Sequence, residues 1–468
     1  MKKIFVLFLI FVLLVSAVGC ASGNTGETRS EKPATEKPET AETGTSKATS
    51  AQSDAGGTAG AVTLAAYPVR SPYVMEPQEA YDKWHAEWKA RMALVPTYQS
   101  AATAFSAKTV PQILSGTKEE NRVYSPMNLW LALAMLTESS AGESRQQILD
   151  LLGADSVEAV REMAKAMWEA NYIDDGSSTC LLANSVWLSD GKEYRAEVLQ
   201  TLADDYYASS FSGKMGSAEY HALLHDWLNE QTKGLLQEQA GGMEFYEETV
   251  MALASTIYFK SAWRDTFEDH ETQEMTFHAP AGDAQRSFVQ KTKYMTYYWG
   301  DEFGALWLPL MAGGGMWIVL PDEGIALDAM LNSDEYLRFQ QAGRNWERQY
   351  GTDVHLALPK FDVSGELDLI EDLSKLGVTD IFHAGLADFS PVFKDPADIS
   401  VSQITHAARV KIDEDGCEGA AFTMISKEEE AAETESGKIK EFIADRPFLF
   451  AVTAEGGTIL FAGVVNEP

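Results

Sequence analysis

From Tyr81 onward the apolar positions fall at helical spacing. The segment "YDKWHAEWKARM" puts Tyr81, Trp84, Trp88 and Met92 on one stripe and predicts an amphipathic helix. A second helix is predicted in "YQSAATAFSAKTVPQIL" and a third in "MNLWLALAMLTESS", the latter opened by the Ser125-Pro126 start signal. A strand pattern in "LLANSVWL" precedes helical patterns in "YRAEVLQTLADDYY" and "HALLHDWLNEQTKG", where Gly234 is the expected C-cap. After "TVMALASTIYF" strands dominate: "ALWLPL", "MWIVLPDEG", "DVHLALPKFDV", "ITHAARVKI", "RPFLFAVTA" and "TILFAGVV". A helix-rich first half followed by a strand-rich second half argues for an α+β fold rather than βαβ alternation.

The N-terminal end has another texture. Lys2 and Lys3 precede an apolar run from Ile4 to Val15, and small residues lead to Gly19-Cys20. That run is too short to span a bilayer and has the flanks of a secretory signal peptide, so residues 1–19 are expected to be a signal peptide. "SAVGC" is similar to a bacterial lipobox, which makes Cys20 the expected lipidation site. Ala17 stands where that box usually carries Leu, which keeps ordinary signal cleavage open. Residues 20–75 are expected to form the lipidated N-terminus and a disordered tether, since hardly any large apolar side chain occurs from 21 to about 66. Such a tether would hold the folded part roughly 35–40 Å from its anchor.

Composition narrows the function. Hydrophobic residues at 45% supply a sizeable core, so residues 76–468 should fold as a body. The formal charge of −33 leaves nothing basic to neutralise a polyanion, which excludes nucleic acid as a partner and argues against a heparin-like activator. Three cysteines, Cys20, Cys180 and Cys417, give no disulfide framework.

Catalytic chemistry finds no anchor. There is no G-x-S-x-G elbow and no Walker loop, and Gly313-Gly314-Gly315 lacks the Lys-Ser/Thr that would make it one. His221 and His225 stand at i, i+4, but Ala222 occupies the place of a zincin's Glu and no third ligand is evident. No catalytic residue, metal site or cofactor is expected, and the chain reads as a non-enzyme.

One stretch resists these readings. "DEDGCEGAAFTMI", Asp413–Ile425, follows a strand pattern and runs into the acidic, loop-like "SKEEEAAETESGK". As a strand it would place Cys417, Gly419, Ala421 and Thr423 on one face and Glu418, Ala420, Phe422 and Met424 on the other. The first face is uniformly small, as required of a segment that must slide into a closed sheet without overpacking the core. A loop with latent strand character is a stored conformational change.

"HAARVKIDEDGCEGAAFTMI" followed by "FIADRPFLFAVTAEGGTILFAGVVNEP" resembles the reactive-centre region and C-terminus of the serpin family. Earlier blocks match in family order: "NRVYSPMNLWLALAMLTESSAGESRQQIL", "ANSVWLSD", "HDWLNEQTKGLL", "STIYFKSAW" and "VHLALPKFDVSGELDLIEDLSKLGVTDIF". The likeness covers about residues 95–468. It implies one domain, set at 76–468, with three β-sheets, eight or nine helices and an exposed reactive-centre loop at about 414–440. It also implies suicide inhibition of a serine-type or cysteine-type protease. A non-inhibitory surface-binding or structural protein of the same fold is the alternative.

Carried over by position, the resemblance makes Glu414, Gly416, Cys417, Glu418, Gly419, Ala420 and Ala421 the hinge. Cys417 and Gly419 replace the usual Thr/Ser and Ala. Counting seventeen residues from Glu414 sets the reactive bond at Glu430–Ala431, suited to a Glu-specific protease, or to an elastase-like or subtilisin-like one after a small slip. Ser125 and His406 match the polar shutter beneath the insertion point, and Trp263 the tryptophan above it. Asn128 and Ser255 stand exchanged with respect to the family, as though donor and acceptor had swapped across one network. The expected molecule is an exported monomer at the cell surface or extracellular, touching a membrane only through a lipid on Cys20.

Overall fold

The structure, a computed structural model, describes residues 7–17, 59–176, 178–231, 244–311, 313–417 and 439–468. Gly234, expected as a C-cap, lies outside them. Ten α-helices occur among the described residues: α1 (Gln78–Met92), α2 (Val95–Leu114), α3 (Pro126–Ser139), α4 (Gly142–Leu152), α5 (Val157–Asn171), α6 (Ala196–Asp205), α7 (Ala218–Gln231), α8 (Leu327–Leu331), α9 (Asp334–Ala342) and α10 (Ile370–Lys375). The strands begin with β1 (Leu7–Ala17), β2 (Gly60–Thr63), β3 (Arg122–Tyr124), β4 (Ile173–Asp174), β5 (Thr179–Ser189) and β6 (Ala208–Gly213). Next are β7 (Thr249–Ala262), β8 (Gln273–Ala279), β9 (Gly282–Trp299), β10 (Phe303–Pro309), β11 (Gly315–Pro321) and β12 (Gln349–Pro359). The series ends with β13 (Asp362–Asp368), β14 (Ile399–Lys411), β15 (Gly416–Cys417), β16 (Lys440–Ile443), β17 (Phe448–Thr453) and β18 (Ile459–Val465).

α3 is the hub. Ser125 caps it by accepting the Asn128 N–H at 3.1 Å, Pro126 opens its first turn, and every residue of it is buried. A helix with apolar groups all round belongs inside, and this one lies behind the central sheet. That sheet runs β13-β14-β1-β7-β5-β6-β2. A second ladder runs β16-β12-β9-β10-β11-β17-β18-β3. It joins two of the three expected sheets because the 18-residue β9 pairs with β12 along much of its length and with β10 only at its end.

Two features of the N-terminal region differ from the sequence expectation. The tether does not run to residue 75: β2 pairs with the edge strand β6, and the chain beyond it lies on the body. Tyr67 packs 5.4 Å from the Trp168 ring, and Arg70 donates to the carbonyls of Glu169 and Tyr172 at 2.7 and 3.0 Å. A cation on the last carbonyls of α5 satisfies groups the helix leaves open and complements its dipole. One tyrosine and one arginine suffice where composition alone suggested nothing to hold. Secondly, Leu7–Ala17 of the expected signal peptide forms β1, antiparallel to both β14 and β7, with Phe11 opposite His406 on one side and Ser255 on the other.

Candidate functional site

Three carboxylates in a row, Asp413, Glu414 and Asp415, open the expected hinge at the top of the central sheet. Glu414 is clamped: Lys360 Nζ lies 3.0 and 3.1 Å from its two oxygens, Thr272 Oγ1 donates to Oε1 at 2.8 Å, and the Phe267 N–H donates to its carbonyl at 3.0 Å. Burial opposes ionisation of Glu414, but its own backbone N–H, Thr272 and Lys360 outweigh that and hold the carboxyl below the ordinary range. Asp413 goes the other way. Burial first, and then the charges of Asp415 and Glu414, push it up to about 6, although it accepts the Asp415 N–H at 3.0 Å.

Trp263 is buried beside the expected hinge. Its indole N–H donates to the Asp413 carbonyl at 2.9 Å and its backbone N–H to the Asp415 carbonyl at 3.1 Å. Gly416 follows with φ +116°, and a Cβ there would stand 2.4 Å from the Trp263 nitrogen. Only glycine fits that turn. Gly416 and Cys417 then pair with Ala262 and Ser261 as β15.

Below, Ser125, Asn128, Ser255 and His406 are brought together, all fully buried. The Ser125 N–H donates to His406 Nε2 at 2.9 Å. Burial pushes His406 down to about 3, so its imidazole is neutral and accepts through Nε2. Asn128 Nδ2 donates to the Ser255 carbonyl at 3.0 Å, while the Ser255 hydroxyl contacts Asn128 Oδ1 and lies 2.6 Å from Asn184 Oδ1. The hydroxyl has one proton, so it serves one of these two carbonyls at a time.

Several expected site residues, Glu418, Gly419, Ala420, Ala421, Glu430, Ala431 and Cys20, lie outside the described residues. Four contributors were not singled out in the sequence: Lys360, Thr272, Asp413 and Asn184. Lys360 follows a strand ending in "LALP", and Asn184 interrupts an apolar one; a polar residue inside or just past a buried strand was the available signal. His221 Nε2 accepts the Phe245 N–H at 2.9 Å, and no cluster of metal-ligating side chains occurs among the described residues.

Comparison with known proteins bears on the same region. A family model described as serpin (serine protease inhibitor) matches residues 100–468. Plasminogen activator inhibitor 1 of Mus musculus is 28% identical over 385 residues, 78% of this chain and 92% of that protein. Serpin-ZX of Arabidopsis thaliana is 27% identical over 376 residues, 76% of this chain and 94% of its own length. Among solved structures, the thermophilic serpin tengpin in its native state aligns with a TM-score of 0.69 at 22% identity, covering 88% of this chain and all of that one. Arabidopsis AtSerpin1 in its native stressed conformation aligns at 0.68 and 24% identity, covering 80% of this chain and 98% of that one. At these identities the structures speak for the fold.

Proposed function

The chain belongs to the serpin family, most of whose members are protease inhibitors, and on that premise we propose that it traps a serine or cysteine protease as a suicide substrate. One observation carries the reading. β15 pairs antiparallel with β7 at Ala262 and Ser261, in line with the lane between β7 and β14 that β1 fills from Phe259 to Thr249, so that lane accepts a complete antiparallel strand. Continuing the Gly416 and Cys417 register sets Gly419 opposite Phe259, Ala421 opposite Ile257 and Thr423 opposite Ser255. Directly opposite residues share a face, and Phe259 and Ile257 belong to the main core, so the small side chains would face inward.

The same register brings Glu429 to Thr249, the end of β7, and leaves the Glu430–Ala431 bond just past it. Cleavage there would free a segment the length of the lane. About eleven ladder positions at ~0.5–1.5 kcal/mol each supply on the order of 10 kcal/mol. Loop insertion of this kind is the family's established form of strand addition, and the uncut state is then held kinetically.

Residues 1–19 serve as the export signal and Cys20 as the lipid anchor in this proposal, placing the inhibitor at the cell surface. A second reading, a non-inhibitory surface protein of the same fold, draws on one feature: the register also sets Lys427 opposite Met251, which is fully buried. A charge there resists full insertion. The test is to mix the purified chain, with and without residues 1–19, with an elastase, a subtilisin and a Glu-specific protease. An SDS-resistant complex is expected from the processed form. Clean loop cleavage with undiminished protease activity would leave the second reading standing.

A further inference from the structure

Arg91, near the end of α1, is 6% exposed, yet its only hydrogen bond among the described residues is a 3.5 Å contact from Nη1 to the Ala170 carbonyl. No carboxylate of the described residues lies within 4.0 Å of it. A guanidinium carries five N–H donors, and those of Arg91 without a protein acceptor are not sealed in the core but open to the cavity it lines. Desolvation lowers its pKa. Arg91 lines a cavity of about 270 Å³ walled by α1, the β4–β5 turn, and the turns after β10 and β17. α1 lies outside residues 100–468, where the family match falls.

The rest of the lining has two characters. Tyr81, His85 and Trp88 form a partly exposed aromatic ladder, with successive ring centroids 5.7 and 5.4 Å apart and interplanar angles of 17° and 13°. Trp84 and Trp88 are fixed by donating their indole N–H groups to Asp175 at 2.9 Å and Glu455 at 2.6 Å. The cavity thus offers a cation in want of an acceptor, two carboxylates set apart from it, and a flat apolar wall.

We propose that this cavity binds a small zwitterion bearing a planar ring, of the free aromatic amino acid class. Its carboxylate meets Arg91, its ammonium the field of Asp175 and Glu455, and its ring the His85–Trp88 wall. A simple anion would be repelled by the carboxylates and a simple cation by Arg91, so both charges are required. The volume suits a ligand below the ~300 Å³ where drug-sized pockets begin.

Titration calorimetry of the full chain with L-phenylalanine, phenylacetate and phenethylamine tests this without any protease. L-phenylalanine is expected to bind at least about tenfold tighter than either truncated analogue. The Trp88→Ala variant, which removes part of the partly buried wall and the indole donor to Glu455, is expected to lose most of that affinity, and Arg91→Gln to abolish the preference over phenethylamine. Absence of heat with L-phenylalanine at millimolar concentration, or equal binding of phenylacetate, overturns the proposal. Should Arg91→Gln fail to fold, the analogue series and Trp88→Ala still decide it.

Discussion

Lys360 reaches from the end of β12 to grip both carboxylate oxygens of Glu414, 3.0 and 3.1 Å away, where the hinge begins. The pair joins the base of the proposed moving segment to a part of the fold that stays. Glu414 keeps 15% of its side chain exposed and Lys360 36%, so this is a partly screened contact at the rim.

Glu414→Gln is therefore expected to destabilise the uncut form by about 1 kcal/mol, a value kept small by solvent screening. Lys360→Met should cost a similar amount, and the double variant less than the sum. Urea unfolding of the four proteins measures this; strictly additive losses would show that the two residues do not act as a pair. Because the Glu414 pKa is depressed, its contribution is fully present above the ordinary carboxylate range and is lost as the pH falls below that range through the depressed folded value.

Asp413 works in the opposite sense. Its folded pKa of about 6 lies above the ordinary value, so the folded form holds the proton longer. The stability this brings is present in acid and disappears as the pH rises through about 6. Asp413→Asn, which keeps the acceptor for the Asp415 N–H, should raise the melting temperature at pH 7.5 by the equivalent of about 1 kcal/mol, after allowance for screening. Below pH 4 the variant and parent should melt together. An unchanged midpoint at pH 7.5 would count against the strained-carboxylate account.

Asn128 and Ser255 touch directly, through both the Ser255 hydroxyl and its carbonyl. Reverting one alone, as Asn128→Ser or Ser255→Asn, leaves a buried polar group without its partner and should cost about 1–3 kcal/mol. The double reversion should cost less than either single change. Equilibrium denaturation of the three variants reads this out, and simple additivity would refute the exchange as a coupled event.

Lys427 is the test of how far the cut segment travels. In the register set by β15 it lands opposite Met251, a fully buried residue. Lys427→Ala removes that obstacle, so fewer inhibitor molecules should be cleaved fruitlessly per protease trapped, and the stoichiometry should fall toward equimolar. A stoichiometry that does not respond would mean that insertion stops before residue 427 or follows another register.

The α+β layout and the start of α3 at Ser125-Pro126 were legible because each rests on local chemistry: a period and a cap. Trp263, Ser125 and His406 were placed by resemblance, and they come to lie at the top of and beneath the lane. Lys360, Thr272 and Asn184 were not seen, since each matters through a partner more than fifty residues away. Nothing near Lys360 in the sequence announces Glu414. The packing of residues 59–75 was missed for a related reason: Tyr67 and Arg70 are few, and their value lies in the aromatic and carbonyl groups of α5 that receive them.

The lane beside β7 admits one guest. While Leu7–Ala17 fills it, a severed arm has no berth, so a molecule that keeps those residues there is a spent cartridge as far as trapping is concerned. On the proposal that residues 1–19 are an export signal, their removal would also arm the trap.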